Sequence, residues 1–233
     1  SSRAGVFNTA KDRGARKVYG MLHGIQGLLQ ERYVDLEEHI KSDLDIELLK
    51  RTPSAYLGSC RFKLPEICDD REIYDKIFSI LDKLEVEYFF YIGGNDSMDT
   101  IKKLSDYSLL NGSKIRFMGV PKTIDNDLAA TDHTPGYGSA AKYIGAITKE
   151  VIRDGLVYDQ QNVTILEIMG RNAGWLTGAA ALAKGEDCEG PDMLFLPEVT
   201  FDVDSFMKKV EELHKKKASV VVAVSEGVKL ADG

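Results

Sequence analysis

The sequence has few of the residues that hold small secreted domains together. Its three cysteines, Cys60, Cys68 and Cys188, form no CxxC pair and no disulfide framework, so we expect a reducing compartment, the cytoplasm. No apolar run approaches the roughly 20 residues of a membrane span, and no signal-peptide pattern is present. We therefore expect no membrane partner.

Excess positive charge is also missing. The chain carries 30 Lys+Arg against 37 Asp+Glu, a formal net charge of −7. This balance excludes a nucleic-acid binder that relies on a broad basic surface, but it permits a local anion site. The 233 residues, 43% of them hydrophobic, fit one large domain or two smaller ones.

Several common ligand motifs are absent. The chain has no GxxxxGK[ST] phosphate loop, no HExxH and no Cys/His spacing typical of zinc. Residues Gly136–Ala141 match GxGxxA, but they follow Asp132–Pro135 rather than a strand. A redox dinucleotide site is therefore disfavoured.

Short apolar runs alternate with helical patterns along the chain. Runs that are apolar on both faces are typical of strands in a buried parallel sheet, and strand–helix alternation predicts a doubly wound α/β fold. In such folds ligands bind beyond the carboxyl ends of strands. The predicted strands are Lys17–Met21, Tyr88–Ile92, Ile115–Val120, Val163–Ile168, Met193–Leu196 and Val220–Val224; the predicted helices are Ser2–Arg13, Arg71–Leu84, Met98–Leu110, Gly138–Asp154, Ala173–Ala183 and Val203–Lys217, the last with Asp202 as N-cap.

A shift in composition suggests two subdomains. Thr, Asp, His, Pro and Gly cluster at Leu128–Gly138, which we interpret as a crossing between residues 1–134 and residues 135–233. The stretch Glu31–Glu66 is less regular and predicts no definite elements.

The loop Gly93-Gly94-Asn95-Asp96-Ser97 follows a predicted strand and precedes a helix. Glycines permit close backbone approach, and free amides at a helix start bind phosphate. The alternative is a plain strand–helix turn with Asp96 or Ser97 as N-cap. The loop alone does not separate the two.

The loop Pro121–Asp127 places a lysine, a hydroxyl and carboxylates after the next strand. Lys122 can hold a phosphate as a point charge, Asp125 can act as general base toward an alcohol, and Thr123 can orient it. A solvated acidic turn is the alternative.

Three further loops are weaker when taken alone. Gly170 is predicted to open a helix, and the neighbouring Arg171 can clamp an anionic ligand or cap a backbone carbonyl, which the loop alone favours. Glu226 ends the last strand, and Arg61 follows Gly58-Ser59-Cys60. Arg61 can face a phosphoryl group or pair with an acid.

Together these loops resemble the phosphofructokinase family. GGND (Gly93–Asp96), PKTIDND (Pro121–Asp127), MGR (Met169–Arg171), SEG (Ser225–Gly227) and GSCR (Gly58–Arg61) occur in the family's order and at similar spacing. The resemblance spans essentially the whole chain. It implies two doubly wound subdomains with mostly parallel sheets: a donor-side piece, 1–134, and an acceptor-side piece, 135–233.

The resemblance also implies transfer of a phosphoryl group to the 1-hydroxyl of fructose 6-phosphate, with Mg²⁺. It assigns catalysis to Asp125, Thr123 and Arg61; the donor to Gly93, Gly94, Asp96, Ser97 and Lys122; fructose 6-phosphate to Thr123, Asp125, Asp127, Met169, Gly170, Arg171 and Glu226; and the metal to Asp96, Asp125 and Asp127.

Two of these positions bear on the donor. ATP-using bacterial members usually carry Gly where this chain has Asp96 and Lys122, and pyrophosphate-using members resemble this chain at both. Asp96 would obstruct the nucleotide, while Lys122 would supply charge to a compact pyrophosphate. The resemblance thus favours pyrophosphate and a reversible reaction.

Some features depart from the family. Asn95 stands where an Asp is common at the metal, and Asn162 stands where many members have an Arg that crosses a subunit interface. The family's first strand with its glycine-rich loop would precede Ser1, and further acceptor residues would follow Gly233. Both subdomains are expected to be incomplete, and this stretch alone to be inactive.

Other functions remain open at this point. They are an ATP-dependent 6-phosphofructokinase, another sugar or lipid kinase, and a non-catalytic regulatory paralogue that binds sugar phosphate. The resemblance also leads us to expect a homo-oligomer, a dimer or a tetramer, with allosteric control possible.

Overall fold

A computed structural model describes residues 2–231. The chain forms two compact units, Ser1–Pro121 and Lys122–Gly233, called here the first and the second unit. The predicted division at 134/135 into donor-side and acceptor-side pieces concerns ligand binding and stays a prediction.

Both units contain helices and strands. The first contains α1 (Ser2–Asp12), β1 (Tyr19–Met21), α2 (Gly24–Leu29), β2 (Tyr33–Asp35), α3 (Leu36–His39), α4 (Asp43–Arg51), α5 (Arg71–Lys83), β3 (Tyr88–Gly93), α6 (Asn95–Leu110) and β4 (Arg116–Pro121). The second contains α7 (Tyr137–Gly155), β5 (Asn162–Ile168), α8 (Trp175–Ala179), a 3-10 helix (Ala180–Ala183), β6 (Met193–Phe195), α9 (Val203–His214) and β7 (Ser219–Ser225).

The core of the first unit lies around the parallel pair β3–β4. Helix α5 buries residues at helical spacing, among them Tyr74, Ile77 and Leu81, and α6 contributes Leu104 and Tyr107 to the same cluster. This periodicity gives each helix one apolar face. Because the register pairs Gly93 with Pro121, both strands end at the same edge of the sheet.

The second unit has a three-stranded parallel sheet in the order β5-β7-β6. The central strand β7 buries Val220, Val221, Val222 and Ala223, since neighbours cover it on both sides and both faces. The predicted α/β architecture with mostly parallel sheets is thus confirmed.

The prediction for Lys17–Met21 was wrong in one respect. This run was expected in the parallel sheet, yet Tyr19–Met21 pairs antiparallel with Tyr33–Asp35. The partner strand is only three residues long and shows no apolar run, so the sequence did not reveal it. The supposedly irregular stretch also contains α3 and α4.

Two helix starts also differ from prediction. Helix α6 begins at Asn95 with Gly94 as N-cap, so neither Asp96 nor Ser97 is the cap. Gly170 opens no helix, since α8 begins at Trp175. Asp202 is confirmed as the N-cap of α9, because its side chain accepts a hydrogen bond from the Ser205 N–H at 2.6 Å.

Within residues 2–231, none of the helices combines the length and apolar character that crossing a bilayer requires.

Candidate active-site loops

The Pro121–Asp127 loop is fixed by its own polar groups. The Thr123 hydroxyl accepts a hydrogen bond from the Asp125 N–H at 3.1 Å. The Thr123 carbonyl in turn accepts one from the Thr134 hydroxyl at 2.8 Å. The loop is therefore ordered around Asp125, with the Thr123 hydroxyl next to the carboxylate-bearing residue.

The buried side chain of Asn126 stabilises this loop through hydrogen bonds. Its backbone has φ 57°, a left-handed conformation that asparagine tolerates better than most residues. Its side chain is buried, donates to the Asp132 carbonyl at 3.1 Å and accepts from the Thr134 N–H at 2.8 Å. The sequence analysis assigned no role to Asn126 or Thr134; the polar residues flanking Pro135 were the available signal.

Asp125 lies in an acidic environment. Burial raises the pKa of its carboxyl, and the negative charges of Asp127 and Glu226 raise it further, while Lys122 opposes them. A carboxylate with a raised pKa holds a proton more readily at neutral pH than an exposed aspartate does. The structure thus brings four of the predicted residues into one electrostatic group.

The MGR and SEG loops meet at the carboxyl ends of β5 and β7, where Ile168 pairs with Ser225. The Gly170 N–H donates to Glu226 Oε1 at 3.1 Å. The Ser225 hydroxyl donates to the Gly170 carbonyl at 2.8 Å. Ser225 was not predicted as a site residue, yet its buried hydroxyl joins the two loops.

Close backbone packing fixes the same two loops. Gly170 has φ 128°, which side chains rarely adopt. A Cβ on Gly227 would lie 1.9 Å from the Arg171 carbonyl oxygen. The side chains of Met169 and Arg171 are exposed, so the turn presents them outward.

The Gly93–Ser97 turn lies in the first unit. A Cβ on Gly93 would lie 2.1 Å from the Ser97 hydroxyl oxygen, so only glycine fits there without displacing Ser97. The Asp96 side chain is exposed in the first turn of α6, and its carbonyl accepts from the Thr100 hydroxyl at 2.9 Å. The helix dipole stabilises a carboxylate at the start of a helix. The negative charge of that carboxylate repels a second anion beside it.

Arg61 is also exposed and lies in the first unit. The predicted site residues thus fall in two groups. Arg61, Gly93, Gly94, Asp96 and Ser97 belong to the first unit, and Lys122, Thr123, Asp125, Asp127, Met169, Gly170, Arg171 and Glu226 belong to the second. Their predicted roles stay predictions.

Asp96, Asp125 and Asp127 are the carboxylates predicted to bind a metal ion. Among residues 2–231, no group of three or more His, Cys, Asp or Glu side chains is arranged to hold a metal ion. Mg²⁺ usually binds one or two carboxylates and completes its shell with water and substrate phosphates. Asp125 and Asp127 fit that mode.

Two cavities are lined by residues other than Asp125. One of about 670 Å³ opens near the amino ends of β3 and β4, at Val86 and Lys114, on the side of the sheet opposite its predicted ligand edge. Another of about 590 Å³ lies beside Asp127 and is lined by Tyr137 and Trp175. The sequence analysis singled out neither aromatic residue.

Comparison with known families decides the assignment. The profile of the phosphofructokinase family, described as "Phosphofructokinase", matches residues 2–233. The chain belongs to the phosphofructokinase family. The family resemblance predicted from the loops is confirmed.

Relatives within this family place the chain nearer to pyrophosphate-using members. Pyrophosphate–fructose 6-phosphate 1-phosphotransferase of Rhodospirillum rubrum is 41% identical over 228 residues, which cover 98% of this chain and 54% of the relative. ATP-dependent 6-phosphofructokinase of Glaesserella parasuis is 35% identical, covering 95% of this chain and 63% of the relative. The chain therefore spans about half the length of the pyrophosphate-using relative.

A solved phosphofructokinase has the same fold. The crystal structure of pyrophosphate-dependent phosphofructokinase from Nitrosospira multiformis superposes with a TM-score of 0.88 at 40% identity, covering 100% of this chain and 58% of that one.

Proposed function

We propose that the polypeptide carrying this chain transfers a phosphoryl group from pyrophosphate to the 1-hydroxyl of fructose 6-phosphate. The product is fructose 1,6-bisphosphate, and the reaction runs in both directions. The observation that carries this proposal is that the charges of Lys122, Asp127 and Glu226 lie close enough to Asp125 to act on the pKa of its carboxyl.

Asp125 is the general base of this reaction. It accepts the proton of the 1-hydroxyl as the oxygen attacks phosphorus. A carboxylate with a raised pKa is a stronger base, which favours this proton transfer. The Thr123 hydroxyl, 3.1 Å from the Asp125 N–H, keeps the loop in the attacking geometry.

The cations neutralise the phosphates. Phosphoryl transfer depends mainly on positioning and on charge neutralisation. Lys122 and Arg61, both exposed, bind donor oxygens, and Arg61 contacts the transferred group. Arg171 binds the sugar phosphate beside Glu226, whose carboxylate accepts from the Gly170 N–H.

Asp125 and Asp127, with Asp96 as a further ligand, would hold the magnesium ion. When bound, Mg²⁺ supplies positive charge to the donor oxygens. The protein contributes carboxylates rather than a closed cage, in line with the arrangement described above.

Asp96 and Lys122 select the donor. The exposed carboxylate of Asp96 at the start of α6 repels the further phosphate of a nucleotide, while Lys122 attracts compact pyrophosphate. The greater similarity to pyrophosphate-using relatives supports the same choice.

The donor assay on the complete polypeptide tests this proposal. Fructose 1,6-bisphosphate formation is measured with pyrophosphate and with ATP, each with Mg²⁺. We expect robust turnover with pyrophosphate and at least about 100-fold less with ATP, a difference of roughly 2.7 kcal/mol in activation free energy. Robust turnover with ATP only would establish the second candidate, an ATP-dependent 6-phosphofructokinase. Absence of transfer from either donor would favour a non-catalytic regulatory paralogue.

A paired substitution sharpens the donor assignment. Asp96→Gly combined with Lys122→Gly should lower kcat/KM for pyrophosphate and raise the ratio of ATP to pyrophosphate activity by at least about tenfold. An exposed acid in the same helix, Asp106→Gly, controls for the loss of helix propensity. An unchanged donor ratio in the paired variant would contradict the assignment.

We also propose that the polypeptide is a cytoplasmic homo-oligomer, a dimer or a tetramer. Light scattering of the purified complete polypeptide measures this state directly.

A further inference from the structure

The segment that carries Arg61 has no regular structure of its own. Residues 58–66 belong to no helix and no strand. Their position therefore depends on side-chain contacts with the elements beneath them. Residues 58–66 are called here the Arg61 segment.

Lys103 holds the carboxyl-terminal end of the Arg61 segment. Its side-chain ammonium donates to the Leu64 carbonyl at 3.0 Å and contacts Glu66 Oε1 at 2.8 Å and Asp99 Oδ2 at 2.9 Å. An ammonium has three donors, and these contacts use all of them. Lys103 itself is only 8% exposed, which is unusual for lysine on a helix surface.

Two features show that this contact joins the segment to helix α6. Asp99 and Lys103 both lie on α6, one turn apart, whereas Leu64 and Glu66 belong to the segment. The Tyr74 hydroxyl of α5 donates to the neighbouring Pro65 carbonyl at 2.6 Å. This end of the segment is thus pinned to both helices.

The other end of the segment is pinned beside the Gly93–Ser97 turn. The Tyr91 hydroxyl of β3 lies close to Cys60 and Ser97, since both side chains act on the pKa of Tyr91. Gly24 has φ 60°, and a Cβ there would lie 3.1 Å from the Tyr91 hydroxyl oxygen and 3.3 Å from Cys60 Sγ. Both ends are therefore fixed to the same strand–turn–helix, β3–α6.

We propose that Lys103 is a positioning residue for Arg61: it fixes the Arg61 segment to α6, whose first turn carries Asp96 and Ser97. This inference rests on the proposed role of Arg61 at the transferred phosphoryl group. A displacement of about 1 Å at a reacting group can cost roughly 100-fold in rate. Lys103 touches no reacting atom and acts through the placement of the Arg61 guanidinium.

A double-mutant cycle on the complete polypeptide tests the inference. Its variants are Lys103→Met, Arg61→Ala and the two combined, and kcat and KM are measured with pyrophosphate and fructose 6-phosphate. We expect Lys103→Met to lower kcat by at least about tenfold with Arg61 present and by less than about twofold in the Arg61→Ala background. The KM for fructose 6-phosphate should change little.

Matched variants separate positioning from stability. Lys102→Met removes the same charge from the neighbouring, exposed residue of α6 and should leave kcat unchanged. Glu66→Gln weakens the contact from the segment side, while the Lys103 ammonium keeps its ion pair with Asp99. It should lower kcat in the same Arg61-dependent way, even if Lys103→Met folds poorly.

Three outcomes would overturn the inference. An equal loss of kcat from Lys103→Met in both backgrounds would show that Lys103 merely stabilises the unit. An effect of Lys103→Met and Glu66→Gln no larger than that of Lys102→Met would show that the contact has no catalytic role. An unchanged kcat in Arg61→Ala would remove the role of Arg61, while pyrophosphate-dependent transfer by the unmodified enzyme would still stand as measured.

Discussion

The Asn126 side chain holds Thr134 across the loop that contains Asp125: its Oδ1 accepts the Thr134 N–H at 2.8 Å while its own backbone stays at φ 57°. Its amide nitrogen also donates to the Asp132 carbonyl at 3.1 Å. One buried asparagine thus joins the end of the loop to the segment that leads into α7. We expect the position of Asp125 to depend on it.

Asn126→Ala should destabilise the protein and lower turnover. The change leaves buried backbone groups without partners, at about 1–3 kcal/mol, and places a less tolerant residue in a left-handed conformation. Thermal unfolding should show a lower midpoint, and kcat should fall more than KM rises. The exposed Asn8→Ala of α1 should change neither quantity; equal behaviour of the two variants would contradict the expectation.

Gly227→Ala should weaken binding of the sugar phosphate. Its Cβ would lie 1.9 Å from the Arg171 carbonyl oxygen, so the MGR turn must move. We expect KM for fructose 6-phosphate to rise by at least about tenfold, or roughly 1.4 kcal/mol. Gly138→Ala is the matched control, because nothing lies within 4 Å of a Cβ at that position. An unchanged KM for fructose 6-phosphate in Gly227→Ala would show that the MGR turn accommodates the added Cβ without loss of binding.

Asp125→Asn should lower kcat by about 10²–10⁴-fold, because the amide cannot accept the proton of the acceptor hydroxyl. Substrate KM values should stay within severalfold, since the side chain keeps its shape. Steady-state kinetics of the complete polypeptide measure both. Turnover close to that of the unmodified enzyme would exclude Asp125 as the base.

The same substitution should raise stability in a pH-dependent way. Burial, then Asp127 and Glu226, raise the pKa of Asp125 in the folded state, so the folded state binds this proton more tightly than the unfolded state. Its contribution is fully favourable below the unfolded pKa and is lost as pH rises through the folded pKa. Asp125→Asn should therefore unfold at a higher temperature than the unmodified protein near neutral pH, with the gap closing at acidic pH. If the difference in unfolding temperature between Asp125→Asn and the unmodified protein widened on acidification, the pKa of Asp125 would not be raised in the folded state.

Neighbouring charges should move the acid side of the pH–rate profile in opposite directions. Glu226→Gln removes a negative charge that raises the pKa of Asp125, so activity should persist to lower pH. Lys122→Met removes the positive charge that lowers this pKa. On acidification, activity should therefore be lost already at a higher pH than in the unmodified enzyme. The profiles of kcat measure both shifts. If both variants shift the acid limb of the pH–rate profile in the same direction, that limb reflects the titration of a group other than Asp125.

The sequence predicted the long parallel strands because β3, β4, β5 and β7 are apolar runs. It did not predict β1–β2, since three-residue strands show no periodicity. The polar first turn of α6 likewise hid its start at Asn95, because helical periodicity appears only where a face is buried.

The sequence predicted which side chains of the candidate site carry charged groups. Carboxylates, lysine and arginine after strands marked the loops that contain Asp125 and Arg171. The contacts that hold those loops in place were not predictable. Asn126, Ser225 and Lys103 each have a partner that lies 8, 55 and 39 residues away, respectively, and local sequence patterns do not reveal such pairings.

The strand order β5-β7-β6 also sets the order of assembly during synthesis. Among residues 2–231, strand β5 pairs only with β7, and the Gly170 N–H donates to Glu226, 56 residues later. The β3–β4 pair, by contrast, closes as soon as Pro121 is made. We therefore expect the Gly93–Ser97 turn to form on the ribosome well before the Met169–Arg171 turn, whose hydrogen bonds require β7.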